Sequence, residues 1–402
     1  MFLKIIDNVS LQNRTCYYSS SISSGGVESN ADSSKIDWSF QHVENEIAAD
    51  VHESYPFTDI IELNGQRIAM SKIEALEDYE VTPLIRASES LSRACGVGSI
   101  LIKDEGSRLG LGSFKGLGGI LAVENIAEQA EREGLSRSSV TVTTASAGNH
   151  GIGVASGASR AGVACVVYVH GGVSENQADR MRSYGAKVVR VDGNYEDSLR
   201  QCANEANSRD DWFVVQDVCS DGYEDVPKRI WEGYSVVAAE MIDQLEAADE
   251  CLPTHVFVNT GVGGFATALC AHFWERLGHR RPIFVTVEPT AAACHLESAL
   301  AGRPTAVSSD ETTVQVGLDC KEVDPLSYRV LSKGANHFLA VPDSSVAPCM
   351  SLLHEQEGVV AGASGVAGLA ALLSAGNDLK LKHALSLDEE SRVAIIVCET
   401  LF

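Results

Sequence analysis

Lys115 lies in the segment GSRLGLGSFKGLGG (106–119), between Phe114 and Gly116 and among six glycines. Glycines let a ligand approach the backbone closely, and apolar flanks can lower a lysine pKa. A lysine so placed can act as a nucleophile or Schiff-base former, although a solvated lysine in a surface turn has the same local sequence. A second glycine loop, NTGVGGFA (259–266), follows an apolar run and opens a helical pattern. Gly261, Val262, Gly263 and Gly264 there offer a cradle of backbone N–H groups for a phosphate. The spacing is not GxGxxG, and no GK[ST] follows. A third loop, TTASAGNHGIG (143–153), places Ser146, Ala147, Gly148, Asn149 and His150 where a strand gives way to a helix. A helix start attracts a carboxylate; Ser146 or Asn149 can also serve as its cap, and the two roles are compatible. Asp217 ends the apolar run of VVQDVCSDGYEDVP, where it either caps a turn or faces a ligand, and Cys398 ends RVAIIVCET. A thiol at that place reads by default as a small buried hydrophobe.

These residues need elements to hold them. Short β-branched runs alternate with helical patterns from about residue 80. The strands are expected at 99–105, 138–145, 163–169, 187–193, 212–217, 255–260, 282–289 and 392–400, with helices at 116–134, 174–185 and 226–247 among others. This alternation predicts an α/β fold of mostly parallel sheets covered on both faces, one sheet at 100–215 and another at 255–400. The chain then divides into a tail and acidic arm (1–79), a domain at 80–250 with a smaller subdomain at roughly 145–215, and a second domain at 251–402. In open α/β sheets ligands bind at the carboxyl ends of strands, which is where all five candidate segments fall.

Composition narrows the partners. The 402 residues carry a net charge of −24, which argues against a nucleic-acid groove or an anionic membrane surface. Residues 27–62 hold nine acidic residues against Lys35 alone and read as an acidic surface arm. Eleven cysteines show no CxxC or metal-ligand spacing, and reduced, buried thiols are expected. No apolar run is long enough to span a bilayer. The expected location is cytoplasmic. Arg14, ahead of the run YYSSSISSGG, supplies a mitochondrial alternative, against which Asp7 counts. Only four residues follow Cys398, so an appended regulatory domain is not expected.

A Schiff-base lysine, a phosphate cradle and an anion-binding helix start together describe a pyridoxal-phosphate enzyme. From residue 80 onward the chain resembles the fold type II pyridoxal-phosphate family, with the tryptophan synthase β-like architecture. Within that family it is most similar to the ammonia-lyases of diaminopropionate. The resemblance is carried by TPLIRASESL, KDEGSRLGLGSFKGLGG, SAGNHGIGVA, NYEDS, VVQDVCSDGYEDVP, GVGGFA, VEP, VGLDCKEVDPLSYRVL and GASGVAGLAAL. It implies pyridoxal 5'-phosphate on Lys115, flanked by Phe114, with Asn149 bonded to the ring hydroxyl oxygen and residues 261–264 holding the phosphate. It also implies that Ser146, Ala147, Gly148 and His150 bind the substrate carboxylate, Asp217 lies near the substrate, and Cys398 sits beside the pyridine nitrogen. A homodimer and a small amino-acid substrate follow from the same resemblance.

Two positions depart from the lyase pattern. Ala147 and Ala363 stand where the family has Asp and Glu, and the Asp is the family's base for the D-isomer. The expected reaction is β-elimination on L-2,3-diaminopropionate to pyruvate and ammonia, with Lys115 as base and Asp217 holding the β-ammonium. A serine, threonine or 3-hydroxyaspartate dehydratase is the alternative, favoured by the SAGNH loop. A synthase and a non-catalytic relative stand further off.

Overall fold

The computed structural model describes residues 38–401. The Ser-rich tail and Arg14, which carry the mitochondrial alternative, lie outside the described residues. Among the described residues there are eleven strands: β1 (Gln41–Glu44), β2 (Leu84–Arg86), β3 (Ser99–Asp104), β4 (Thr141–Ala145), β5 (Ala164–His170), β6 (Lys187–Val191), β7 (Trp212–Val214), β8 (His255–Asn259), β9 (Ile283–Pro289), β10 (His337–Val341) and β11 (Arg392–Val397). They form a seven-stranded sheet in the order β1-β10-β9-β8-β11-β3-β2 and a four-stranded sheet in the order β6-β5-β4-β7. The small sheet is wholly parallel, and the large one is parallel except at its two edges. Strands such as β8 and β10 are buried along their whole length, as a parallel sheet covered by helices on both faces requires.

The grouping differs from the expected one in one respect. β3 does not join the sheet of β4–β7; it pairs with β11, Ser99 opposite Arg392 through Asp104 opposite Val397. A parallel partner can come from any distance along the chain, so a strand's own sequence does not say which sheet receives it. The arm before residue 80 also does more than cover the surface. Its strand β1 closes one edge of the large sheet against β10, and a helix, Leu63–Glu74, buries Ala69 and Ile73.

β3 carries Lys103, which is fully buried with Glu240, Glu105 and Arg108. Lys103 Nζ donates to Glu240 at 2.7 Å, and Arg108 donates to both Glu240 (2.6 and 2.7 Å) and Glu105 (2.8 Å). Two cations against two carboxylates leave no net charge, so the cluster is tolerable in the interior. It anchors the segment between β3 and Lys115 at its start. The far end of that segment is tied to the last strand: Phe114 N–H donates to Cys398 C=O at 3.3 Å and Thr400 N–H to Gly112 C=O at 3.0 Å.

The helix that Lys115 begins (Lys115–Arg132) packs against the helix that Asn149 begins (Asn149–Ala161), backbone against backbone. A Cβ on Gly119 would stand 2.6 Å from the Gly153 carbonyl carbon, and one on Gly153 would stand 2.8 Å from Lys115 O. Only glycine permits that approach, and it brings the two helix starts side by side. Among the described residues no helix is long and apolar enough to cross a membrane, and all ten cysteines are unpaired, eight of them buried.

Candidate active site

The carboxyl ends of β3, β4, β7, β8 and β11 converge on Lys115. Its ammonium pairs with the Asp217 carboxylate. The two side chains are 25% and 15% exposed, so the pair is largely but not wholly shielded from solvent. Lys115 Nζ is also 5.4 Å from the ring centroids of Phe114 and Tyr234, and Phe114 stacks on Phe265 at 3.9 Å. Tyr234 donates its hydroxyl to Asp217 Oδ2 at 3.4 Å. Burial alone would lower the Lys115 pKa, as its apolar flanks suggest. The Asp217 charge and hydrogen bond, with Tyr234, more than reverse this, and the amine is held above its ordinary range. The expectation of a lowered pKa is thereby corrected for the chain alone: the sequence showed the flanks and not the carboxylate brought to them from residue 217.

Asp217 lies three residues beyond β7. Gln216 fixes the approach, donating from Nε2 to Ala145 O at 3.0 Å, and Trp231 Nε1 donates to Asp217 O at 3.1 Å. Burial would raise the Asp217 carboxyl, while His150 and Lys115 lower it, and the net shift is well below the usual carboxylate range. His150 is itself depressed by burial and stays neutral, so the Lys115 ammonium is the effective cause. His150 Nε2 donates to Val215 O at 2.9 Å, which turns Nδ1 toward Asp217 Oδ2 at 3.8 Å.

The loop after β4 is capped from within. Ser146 Oγ accepts from Gly151 N–H at 3.0 Å and Gly148 N–H at 3.3 Å, so Ser146 satisfies first-turn donors although the N-cap residue itself is Gly148. Asn149 turns its amide elsewhere and donates from Nδ2 to Glu399 Oε2 at 2.8 Å. Ala147 packs against the core, and Ala363 precedes Ser364, whose N–H donates to Glu399 Oε1 at 3.2 Å. Cys398 is buried, its thiol pushed up by burial and placed 3.4 Å from Ser364 O, so it is a neutral group at the end of β11.

After β8, Gly263 adopts φ +109° and the helix Gly264–Leu277 begins. A Cβ at Gly263 would lie 2.0 Å from Ser327 Oγ and 2.6 Å from His295 Nε2. Position 263 is thus closed to any side chain, and the loop's N–H groups stand at a fourteen-residue helix's positive end. His295 is fully buried against it, and neither ring nitrogen makes a hydrogen bond of good geometry.

Residues 75–399 match the model of the family described as pyridoxal-phosphate dependent enzyme. The chain belongs to this family. Among its relatives, the diaminopropionate ammonia-lyase of Salmonella typhimurium is 34% identical over 349 residues, 81% of this chain and 86% of that protein. The Escherichia coli diaminopropionate ammonia-lyase is 31% identical over 83% of this chain and 87% of its own length. Crystal structures of the E. coli enzyme, as the holo form and with an aminoacrylate-PLP azomethine reaction intermediate, superpose with TM-scores of 0.80 at 28% and 29% identity. They cover 90% of this chain and 93% and 94% of theirs.

The side chains present fit the cofactor of this family. A loop at a helix start whose position 263 admits no Cβ suits a phosphate, and the buried His295 lies beside it. A primary amine stands across the site with aromatic rings around it.

Sequence reasoning missed Tyr234, Phe265 and Glu399. Tyr234 and Phe265 lie within helical runs and carry no local signal. Glu399 carried the same signal as Asp217, an acidic residue just past the end of an apolar strand.

Proposed function

We propose that this chain catalyses β-elimination on L-2,3-diaminopropionate, yielding pyruvate and ammonia. The observation that carries the reading is the Asp217 carboxylate, kept ionised deep in the site by one cation, Lys115. Pyridoxal phosphate, when bound, supplies an electron sink for the pair left by the α-proton. Lys115 would hold that cofactor, and Asp217 would then lack its partner cation. A substrate β-ammonium replaces that charge, whereas a β-hydroxyl does not. With its amine free, Lys115 would take the α-proton. The Cβ–N bond breaks with its electron pair on nitrogen, and ammonia departs past Asp217. The aminoacrylate product hydrolyses to pyruvate and a second ammonia.

The residues supporting each role are those whose geometry permits it. The 261–264 loop would hold the phosphate, with His295 beside it, and Asn149 would meet the ring oxygen. The loop Ser146–His150 receives the substrate carboxylate on the N–H groups that Ser146 leaves free. Cys398, a neutral thiol, is a weak partner for a pyridine nitrogen and limits the sink to the short-lived carbanion that elimination needs. Ala147 offers no base on the opposite face, which leaves the D-isomer unprovided for. A homodimer rests on the family resemblance and a cytoplasmic location on the acidic charge and reduced cysteines; light scattering and fractionation test them.

The deciding experiment measures pyruvate release from L- and D-2,3-diaminopropionate, L-serine and L-threonine, with Lys115→Ala as control. Turnover chiefly of the L-diamino acid supports the reading. Comparable turnover of both isomers refutes Lys115 as the single base. Activity confined to the hydroxy amino acids moves the chain to the dehydratases.

A further inference from the structure

Glu399 has no part in the reaction as described above, yet it is the residue on which four segments of the site meet. Its carboxylate accepts from Asn149 Nδ2 at 2.8 Å on one oxygen and from Ser364 N–H at 3.2 Å on the other. Its own backbone pairs with Ser113, two residues before Lys115, and accepts from Gly362 N–H at 2.8 Å. The space around the carboxylate is closed: a Cβ at Gly362 would come within 2.9 Å of Oε1. Asn149 therefore holds its amide toward the site by an anchor fixed to the same strand end as Cys398.

An asparagine amide has two N–H groups and one carbonyl oxygen. In this geometry one N–H is committed to Glu399, which fixes the rotamer and leaves the other N–H to point at a ligand. We infer that Glu399 is a positioning residue for the cofactor: through Asn149 it orients the donor to the ring hydroxyl oxygen and places a carboxyl charge behind that edge of the ring. The inference rests on the reading of Asn149 as the ring-oxygen ligand. Burial raises the Glu399 pKa, opposed by its bonds to Ser364, the Lys115 charge and its bond to Asn149. A carboxylate polarises the Asn149 N–H more strongly than a neutral acceptor does, so its charge as well as its shape reaches the ring oxygen.

The test uses the full chain loaded with pyridoxal phosphate and reads two quantities besides turnover: the cofactor Kd, from titration of the cofactor-free protein, and the pH midpoint of the visible cofactor band. Glu399→Gln removes the charge and keeps one acceptor oxygen, for which Asn149 Nδ2 and Ser364 N–H then compete. It is expected to leave Kd within about threefold and to shift the midpoint by about one pH unit. Glu399→Ala is expected to shift the midpoint and weaken Kd by about tenfold. Asn149→Ala is expected to match it, and the double variant to be no worse than Asn149→Ala by more than about twofold, because the two residues act in series. An unmoved midpoint in Glu399→Gln, or effects of Glu399→Ala and Asn149→Ala that add, overturns the inference while leaving the role of Asn149 standing. A wild-type band and Kd retained in Asn149→Ala overturns the Asn149 reading, and the inference with it. Glu399→Gln is isosteric, so the midpoint test survives if the alanine variant fails to fold.

Discussion

Replacing Asp217 by asparagine is expected to lower the pH at which the cofactor-free chain captures pyridoxal phosphate. Burial, the largest influence on Lys115, disfavours its charge, and Asp217 reverses that effect. In Asp217→Asn the burial remains and the counter-charge is gone, so the amine becomes easier to deprotonate than an ordinary lysine. Two unit charges about 4 Å apart at an effective dielectric of 20 interact by about 4 kcal/mol. Breaking a buried pair costs about 3–5 kcal/mol, and the residual exposure of 25% and 15% argues for the lower end. About 3 kcal/mol at about 1.4 kcal/mol per pH unit corresponds to roughly two units. The assay is the initial rate at which the visible band grows after pyridoxal phosphate is added, measured across pH for both proteins. The asparagine variant should reach its half-maximal rate about two units lower. On L-2,3-diaminopropionate its kcat/KM should fall by about 10²–10⁴, the range of a lost acid–base or charge-stabilising group, and by much less on L-serine. A half-maximal pH that is unmoved or raised, or equal losses on the two substrates, refutes the argument that Asp217 holds first the lysine and then the substrate cation.

Glu240→Gln should destabilise the chain by about 3–5 kcal/mol, because Lys103 and Arg108 would share one remaining carboxylate in a site with no exposure; urea unfolding measures it. Gly153→Ala should cost about 1–3 kcal/mol through its contact with Lys115 O, outweighing a helix-propensity gain of up to about 1 kcal/mol, and should weaken the cofactor Kd as the two helix starts part. An unchanged unfolding midpoint together with an unchanged Kd would contradict this. His42 and His337 share a contact of 3.2 Å between β1 and β10, and burial lowers their pKa values from 6.5 to about 4 and about 3, His337 being further lowered by His42 and His255. Their depressed values mean the unfolded chain binds the extra protons. The stability they contribute is therefore full above pH 6.5 and lost as pH falls toward 4 and 3. His42→Asn should reduce that acid-side loss, read from unfolding midpoints between pH 7 and 4.

The candidate site was legible in the sequence where chemistry depends on short spacing. Lys115 among its glycines, the 261–264 loop at a helix start and the SAGNH loop are local devices, each set by a strand, a turn and the first residues of a helix. The structure keeps each of them in that setting. Ser146 or Asn149 could be read as a cap from position; the N-cap is Gly148, and Ser146 Oγ reaches the Gly151 N–H from two residues before it. The α/β class was likewise legible, because buried parallel strands are continuous apolar runs whichever strand lies beside them.

Only the tertiary structure decided which ends meet. β3 left its sequence neighbours for β11, and that pairing sets Lys115 beside Cys398 and Glu399, which follow it by almost three hundred residues. The Lys115–Asp217 pair reverses the direction in which the lysine's own flanks push its pKa. Hydrogen bonding along a parallel ladder is the same for any partner, so strand order comes from the packing of whole faces. A side chain's charge state comes from whatever that packing brings within a few ångströms. Local sequence specifies the loop, and the fold specifies its electrostatic surroundings.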